Sequence, residues 1–186
     1  MNDGSVRELS LTVEPRTLPI FFQFLQDGFL LETQVGLSIR EFLRDQCRIS
    51  PETITDLIST VFLDGMPVDD LDRAFVENHS TLALSGAMPG LVGAVMRSNS
   101  PLRSFRSSIT HSGENGSRQH EPGLVRLKLF NKVMSELGPG FLREGILLEP
   151  LAVKDFLTNH AEIRVSLDED DLSGADLVSL SVRTHE

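Results

Sequence analysis

Residues 24–43 read FLQDGFLLETQVGLSIREFL, and residues 141–157 repeat the pattern as FLREGILLEPLAVKDFL. With one gap of three residues, 9 of the 17 aligned positions are identical. In each copy a short apolar run precedes a segment in which apolar residues recur at helical spacing. This order predicts a strand followed by an amphipathic helix. The repeat therefore predicts two similar units within one chain.

The residues around the first copy predict a hairpin followed by a helix. Residues 17–25 (TLPIFFQFL) are rich in apolar and aromatic side chains and predict a first strand. Asp27-Gly28 is typical of a hairpin turn because glycine accepts a positive φ, and residues 29–35 predict the returning strand. Ser38 and Glu41 have the spacing of a capping box, which predicts a helix start.

The next segment predicts a second helix and two further strands. Ser50-Pro51 is a helix-start signal, and residues 58–63 predict a strand. Asp64-Gly65 then predicts a tight turn, and residues 80–85 (STLALS) predict a final strand. The predicted order is strand, strand, helix, strand, short strand, strand.

This order, with one helix across a sheet, is the pattern of a β-grasp domain. The segments VFLDGMPVDDLD and STLALSGAMPG, residues 61–72 and 80–90, resemble the second half of the small sulfur-carrier proteins of molybdopterin and thiamine synthesis. LVRLKLFNKVMSELG, residues 124–138, is similar to their first strand and following turn. The resemblance implies an α+β protein with two β-grasp-like units, in which each mixed sheet carries one helix.

The composition predicts where these units begin and end. Residues 97–123 are rich in Ser, Gly and Pro, with four Arg against two Glu, and predict a polar linker. We therefore expect an N-terminal lead-in at 1–16, a first β-grasp-like unit at 17–96, and a second, smaller one at 124–186.

Charge and cysteine content narrow the function classes. A net charge of −10 argues against nucleic-acid binding, which depends on a basic surface. One cysteine cannot form an internal disulfide, which fits a reducing compartment. No run approaches the roughly 18 apolar residues of a membrane helix, and the N-terminus lacks the apolar stretch of a secretory signal. We expect a cytoplasmic protein that binds neither nucleic acid nor membrane.

The stretch GAMPGLVGA, residues 86–94, is the candidate ligand site. Backbone amides of a glycine-rich loop can hold an anion, and nearby arginines can neutralise it. The candidate residues are Gly86, Gly90, Gly93, Arg97, Arg103 and Arg106. The stretch matches neither the phosphate-loop nor the dinucleotide motif. A tight turn of small residues, or an apolar patch for a partner, explains the same pattern.

No other residues form a recognisable chemical motif. The five histidines lack the spacing of zinc ligands. Cys47 lies beside Arg44 and Arg48 but has no nearby histidine, so an inert thiol is favoured over a nucleophile. The acidic clusters at 69–72 and 168–171 are interpreted as solvated turns. We expect no catalytic residues, no metal and no cofactor.

These observations favour a non-enzymatic protein-interaction or scaffold protein. It would bind an unknown protein partner, or itself through strand edges. One alternative is a small-ligand or anion-binding protein that uses the 86–93 stretch. A second is a sulfur carrier, which is disfavoured because such carriers act through a C-terminal Gly-Gly and this chain ends in RTHE. The predicted core residues are Leu30, Phe42, Val61, Leu82, Leu127, Leu147, Phe156 and Val165.

Overall fold

The structure is a computed structural model that describes residues 5–87, 90–96, 101, 119–160, 163 and 174–185. It confirms the α+β class, with parallel and antiparallel strand pairs. The described strands are β1 (Val6–Val13), β2 (Phe29–Val35), β3 (Thr60–Leu63), β4 (Met66–Pro67), β5 (Thr81–Ser85), β6 (Glu121–Phe130), β7 (Ile146–Leu148) and β8 (Leu177–Thr184). The described α-helices are α1 (Phe22–Asp27), α2 (Ile39–Glu41), α3 (Pro51–Leu57), α4 (Gly90–Met96), α5 (Asn131–Glu144) and α6 (Pro150–Asn159).

The chain forms two compact units that are interleaved in sequence. The terminal unit comprises Met1–Phe24 and Leu137–Glu186, and the central unit comprises Leu25–Glu136. This grouping differs from the expected boundaries, because β6 pairs with strands of the central unit. Most of the expected linker, residues 97–123, lies outside the described residues, so those boundaries remain a prediction.

The terminal unit has the strand order β1-β8-β7. β1 runs parallel to β8 along its whole length, and β7 is antiparallel to β8. Phe156 of α6 lies with its ring centroid 5.1 Å from that of Phe21 and 4.5 Å from that of Phe24. The buried side chains of these strands are Leu9, Leu11, Ile146, Leu148, Val178, Leu180 and Val182. The core of this unit therefore lies between the sheet and the cluster of Phe21, Phe24 and Phe156.

Two sequence expectations for the terminal unit were wrong. The expected lead-in at 1–16 contains strand β1, in which Leu9 and Leu11 are buried while Ser10 and Thr12 are exposed. The expected strand at 17–25 is instead a 3-10 helix, Leu18–Phe21, followed by α1. Pro19 suits a helix start, and Phe21, Phe24 and Leu25 are buried at helical spacing.

The central unit has the strand order β2-β6-β5-β3-β4. β6 is antiparallel to β2 and parallel to β5, while β3 is antiparallel to β5 and β4. One face of this sheet is apolar and buried. It is formed by the side chains of Phe29, Val61, Leu63, Leu82, Leu84, Val125, Leu127 and Leu129. A π-helical segment, Phe42–Gln46, extends α2 and contacts β2. Ile39, Phe42 and Leu43 of this helix have no exposed surface.

The helix starts that the sequence predicted are confirmed. Ser38 Oγ accepts a hydrogen bond from the Glu41 amide at 3.3 Å, and a Glu41 carboxylate oxygen accepts one from the Ser38 amide at 2.9 Å. This is the expected capping box. Ser50 Oγ likewise accepts a bond from the Thr53 amide at 3.2 Å and caps α3. Local residue order alone therefore specified both helix starts.

Most of the predicted core residues are buried. Phe42, Val61, Leu82, Leu127 and Phe156 have at most 3% of their surface exposed. Leu30 and Leu147 are only half-buried, so these two expectations were wrong. In β7 the alternation of a strand buries Ile146 and Leu148 and turns Leu147 to the opposite face. Val165 lies outside the described residues.

We expect Phe42→Ala and Phe156→Ala each to lower the free energy of unfolding by about 3–5 kcal/mol, because each leaves a cavity in a closed core. The measurement is urea unfolding followed by circular dichroism. Leu151→Ala is the control, since Leu151 is 75% exposed on α6. A loss well below about 2 kcal/mol at either phenylalanine would contradict the core assignment.

We expect the capping box to make stability depend on pH in the acid range. Hydrogen bonds from the Ser38 side chain and backbone hold the pKa of Glu41 below its ordinary value of 4.5. The bonds therefore contribute fully above pH 4.5, and the contribution is lost as the pH falls through the lower pKa of the folded state. The free energies of unfolding of wild type and Glu41→Gln, measured with urea, should differ at pH 6, and the difference should shrink as the pH falls below 4.5.

Ser38→Ala tests the same contact from its other side. It should cost about 0.5–2 kcal/mol near neutral pH, because it removes the cap of α2. The double variant should cost less than the sum of the two single variants, since both remove one shared interaction. Full additivity would show that Ser38 and Glu41 act separately.

Candidate functional site

The glycines of the predicted ligand stretch lie in two different structural settings. Gly86 is buried directly after β5, Gly90 begins α4 with φ +81°, and Gly93 is buried within α4. The stretch 86–94 is therefore helical from Gly90 onward, and Met88 and Pro89 lie outside the described residues. A Cβ on Gly86 would lie 3.5 Å from Leu57 O and from Lys132 Cβ, which is ordinary contact. Close backbone approach thus does not require glycine at this position.

The arginines proposed for the same site cannot be placed beside these glycines. Arg97, Arg103 and Arg106 lie outside the described residues. Helix α4 has only seven residues, so its N-terminus alone is a weak basis for anion binding. Gly86, Gly90, Gly93 and the three arginines together remain a prediction.

A group of polar side chains lies where the parallel strands β5 and β6 end. Asn131 has φ +52°, and its side-chain amide donates a hydrogen bond to Ser85 Oγ at 3.0 Å. Thr60 is paired with Ser85 across the antiparallel β3–β5 ladder. The Thr60 hydroxyl is buried and has no hydrogen-bond partner among the described residues. These groups can donate and accept hydrogen bonds, but they include no acid or base.

The face of the central sheet opposite the apolar core carries two cations. In the strand ladders Phe62 is paired with Ala83, and Ala83 with Lys128. Arg126 is paired with Leu30 on one side and with Thr81 on the other. Paired residues share a sheet face, so these side chains form two adjacent rows across four strands. We call this surface the Lys128 face and define it by Leu30, Phe62, Thr81, Ala83, Arg126 and Lys128.

The side chains of the Lys128 face are all half-buried. Its apolar members therefore keep part of their surface accessible, and the methylene stems of Arg126 and Lys128 cover part of the sheet while their charged ends can reach water. Arg126 Nη1 also donates a hydrogen bond to Gly28 O at 3.2 Å. The surface combines apolar area with fixed positive charge, although the chain as a whole carries a net charge of −10.

Gly28 allows these cationic side chains to lie against the sheet. A Cβ at this position would be 3.1 Å from Arg126 Cγ and Cδ and 3.1 Å from Lys128 Cε. The residue also has φ +111°, a conformation that other residues adopt only with strain. Gly28 links α1 to β2 and does not lie in the hairpin turn that Asp27-Gly28 predicted. Its contacts with Arg126 and Lys128 depend on a strand that lies 98 residues away and could not be predicted locally.

Cys47 does not have the properties of a nucleophile. Its side chain is half-buried, and desolvation raises the pKa of the thiol above its ordinary value. The neighbouring arginines therefore do not stabilise a thiolate, as a reactive cysteine would require. This agrees with the inert thiol expected from the sequence.

The first acidic cluster forms a surface turn. Asp70 accepts a hydrogen bond from the Asp72 amide at 3.0 Å, and Asp72 lies 2.7 Å from Arg40 Nε in an exposed ion pair. Such exposed pairs contribute little to stability. The second acidic cluster, residues 168–171, lies outside the described residues.

The described part of the chain offers no obvious metal site or membrane segment. Among its residues, no group of three or more His, Cys, Asp and Glu side chains is placed to hold a metal ion. Within the same ranges, no helix has the length and apolar character needed to cross a bilayer.

We expect Gly28→Ala to lower the free energy of unfolding by about 2–4 kcal/mol, because backbone strain adds to the displacement of Arg126 and Lys128. Gly65→Ala is a matched control. Gly65 has φ +80° but nothing within 4 Å of an added Cβ, so it should cost only about 1 kcal/mol. Equal losses in urea unfolding would show that the cationic stems do not constrain Gly28.

Comparison with known proteins adds no assignment. No protein family, curated protein or solved structure matches the chain. The resemblance to sulfur carriers and to the β-grasp fold therefore stays a prediction.

Proposed function

We propose that the chain is a non-enzymatic protein-interaction module that binds a partner on the Lys128 face of the central unit. The observation that carries this proposal is the pairing of Phe62, Ala83 and Lys128 in one row across the sheet. Apolar side chains with accessible surface, bordered by cations, are suited to protein contact because burial supplies affinity and charge supplies orientation.

The complementary partner surface is apolar and bordered by carboxylates. Lys128 and Arg126 lie on adjacent rows, one beside Ala83 and the other beside Leu30. A partner that inserts an apolar side chain between these rows would bring its acidic groups to the two cations. The negative net charge of the chain would repel such a partner elsewhere on the surface, which favours binding at this face.

We also propose a β-grasp arrangement for the central unit, with one departure from the order expected. In a β-grasp sheet the N-terminal strand lies between the second and last strands, antiparallel to one and parallel to the other. Here β6 has that position between β2 and β5. The departure is that β6 follows both of these strands in the chain and does not precede them. The capped helix α2 and its π-helical extension lie towards β2 on the apolar face, which is consistent with a partner on the opposite face.

Affinity capture with the full chain tests the proposed surface. Wild type, Ala83→Glu and Lys128→Glu would be compared in extracts of the native source, with bound proteins measured by quantitative mass spectrometry. We expect one acidic partner to be retained by wild type and reduced at least tenfold by each variant, because a carboxylate replaces the apolar or cationic contact.

Lys154→Glu supplies the matched control, since Lys154 is exposed on α6 in the terminal unit. It makes the same charge change away from the Lys128 face and should retain the partner. Thermal unfolding of each variant would first establish that the sheet is intact. If all three variants retained the same proteins as wild type, the Lys128 face would not be the binding surface.

A further inference from the structure

The two halves of the chain have the same order of structure around the sequence repeat. We define the N-terminal half as residues 5–96 and the C-terminal half as residues 119–185. Each half begins with a strand, β1 or β6, and continues through a helix, a glycine, a strand and a second helix. The repeat glycines have nearly the same backbone conformation, with φ +111° at Gly28 and +107° at Gly145.

Equivalent side chains of the two halves are also buried alike. Phe42 and Phe156 align in the repeat and are 0% and 2% exposed. Ile39 and Val153, one turn earlier in each helix, are 0% and 1% exposed. The identity of the sequence repeat thus extends to helix position, glycine conformation and core packing.

The first strand of each half pairs with the other half. β1 opens the N-terminal half and runs parallel to β8, the last strand of the C-terminal half. β6 opens the C-terminal half and runs parallel to β5, the last described strand of the N-terminal half. Both relations are parallel, but β6 also pairs with β2 of the N-terminal half, whereas β1 pairs, among the described strands, with β8 alone.

We infer that the two halves of this chain are binding partners, each of which supplies its first strand to a parallel ladder with the other half, and that a second copy of the chain can supply either half. In each of the β1–β8 and β6–β5 pairs, one half contributes its first strand and the other its last described strand.

The burial of the two first strands, β1 and β6, shows what holds the halves together. β6 contributes Val125, Leu127 and Leu129, each with no exposed surface, to the central unit. β1 contributes the buried Leu9 and Leu11 to the terminal unit. Each compact unit therefore contains strands of both halves. Separating the halves would open both units and expose apolar surface in each.

The covalent connection between the halves is long. Residues 97–118 join α4 to the residues that precede β6, and fully extended they could span up to about 75 Å. A connection of this length raises the effective concentration of the two halves without fixing which copies they come from.

Cleavage of the folded full chain tests the inference. A site for a specific protease would be inserted between Ser112 and Gly113, and the cut protein would be examined by size-exclusion chromatography with light scattering. We expect one species whose mass stays close to the 20.6 kDa of the uncut chain, apart from the inserted residues. Separate elution of two folded or unfolded fragments would overturn the inference.

A mixing experiment tests the second copy. Cut protein labelled with nitrogen-15 and unlabelled cut protein would be unfolded together in urea, refolded, and examined by native mass spectrometry. We expect the two mixed pairs of fragments in the same amounts as the two unmixed pairs. Refolding that yields no mixed pairs would contradict exchange between copies.

A variant in β1 identifies the contact responsible. Leu11→Asp places a charge at a buried position of β1, whereas Thr12→Asp places it on the exposed face of the same strand. In cut protein with a native circular dichroism spectrum, Leu11→Asp should raise the dissociation constant of the fragments at least tenfold and Thr12→Asp less than threefold. Equal effects of the two variants would show that the β1–β8 pair does not join the halves.

Discussion

Parallel pairing between strands that are distant in sequence is the constraint on which both units depend. β1 pairs with β8 across more than 160 residues, and β6 reaches back between β2 and β5. A strand at the centre of a sheet must satisfy its backbone hydrogen bonds on both sides. β6 meets this requirement only when β2 and β5 are both in place beside it. Each core therefore depends on a long-range ladder within its own unit.

The same ladders create the surface that we propose as functional. The register of β6 against β2 and β5 aligns Lys128 with Ala83 and Arg126 with Leu30. Shifting a strand by one residue would exchange the two sheet faces, so the apolar core and the Lys128 face are specified together. Gly28 supports this arrangement because the absence of a Cβ leaves room for both cationic stems. Fold and proposed binding surface thus share one structural cause.

Features that rest on neighbouring residues could be predicted well. The Ser38–Glu41 capping box, the Ser50 cap and strand β2 follow from short patterns and occur as expected. Features that rest on distant partners could not. β1 was not predicted because its eight residues include only two leucines that are buried, and those two are buried only when β8 lies beside the strand. The Lys128 face had no sequence signature, since its side chains come from four strands spread over about half of the chain.

Local chemistry in the sequence specified the α+β class, the helix starts, the turn at Asp64-Gly65 and the repeated strand–helix motif. These features need only the conformational preferences of adjacent residues and the periodicity of apolar side chains. Long-range contact specified which strands pair, that the first strand of each half pairs with the other half, and that two cations lie among apolar side chains on one face. The periodicity of apolar residues predicts which face of a strand is buried, but it does not predict which other strands lie beside it. That choice is made by packing and register in the folded chain.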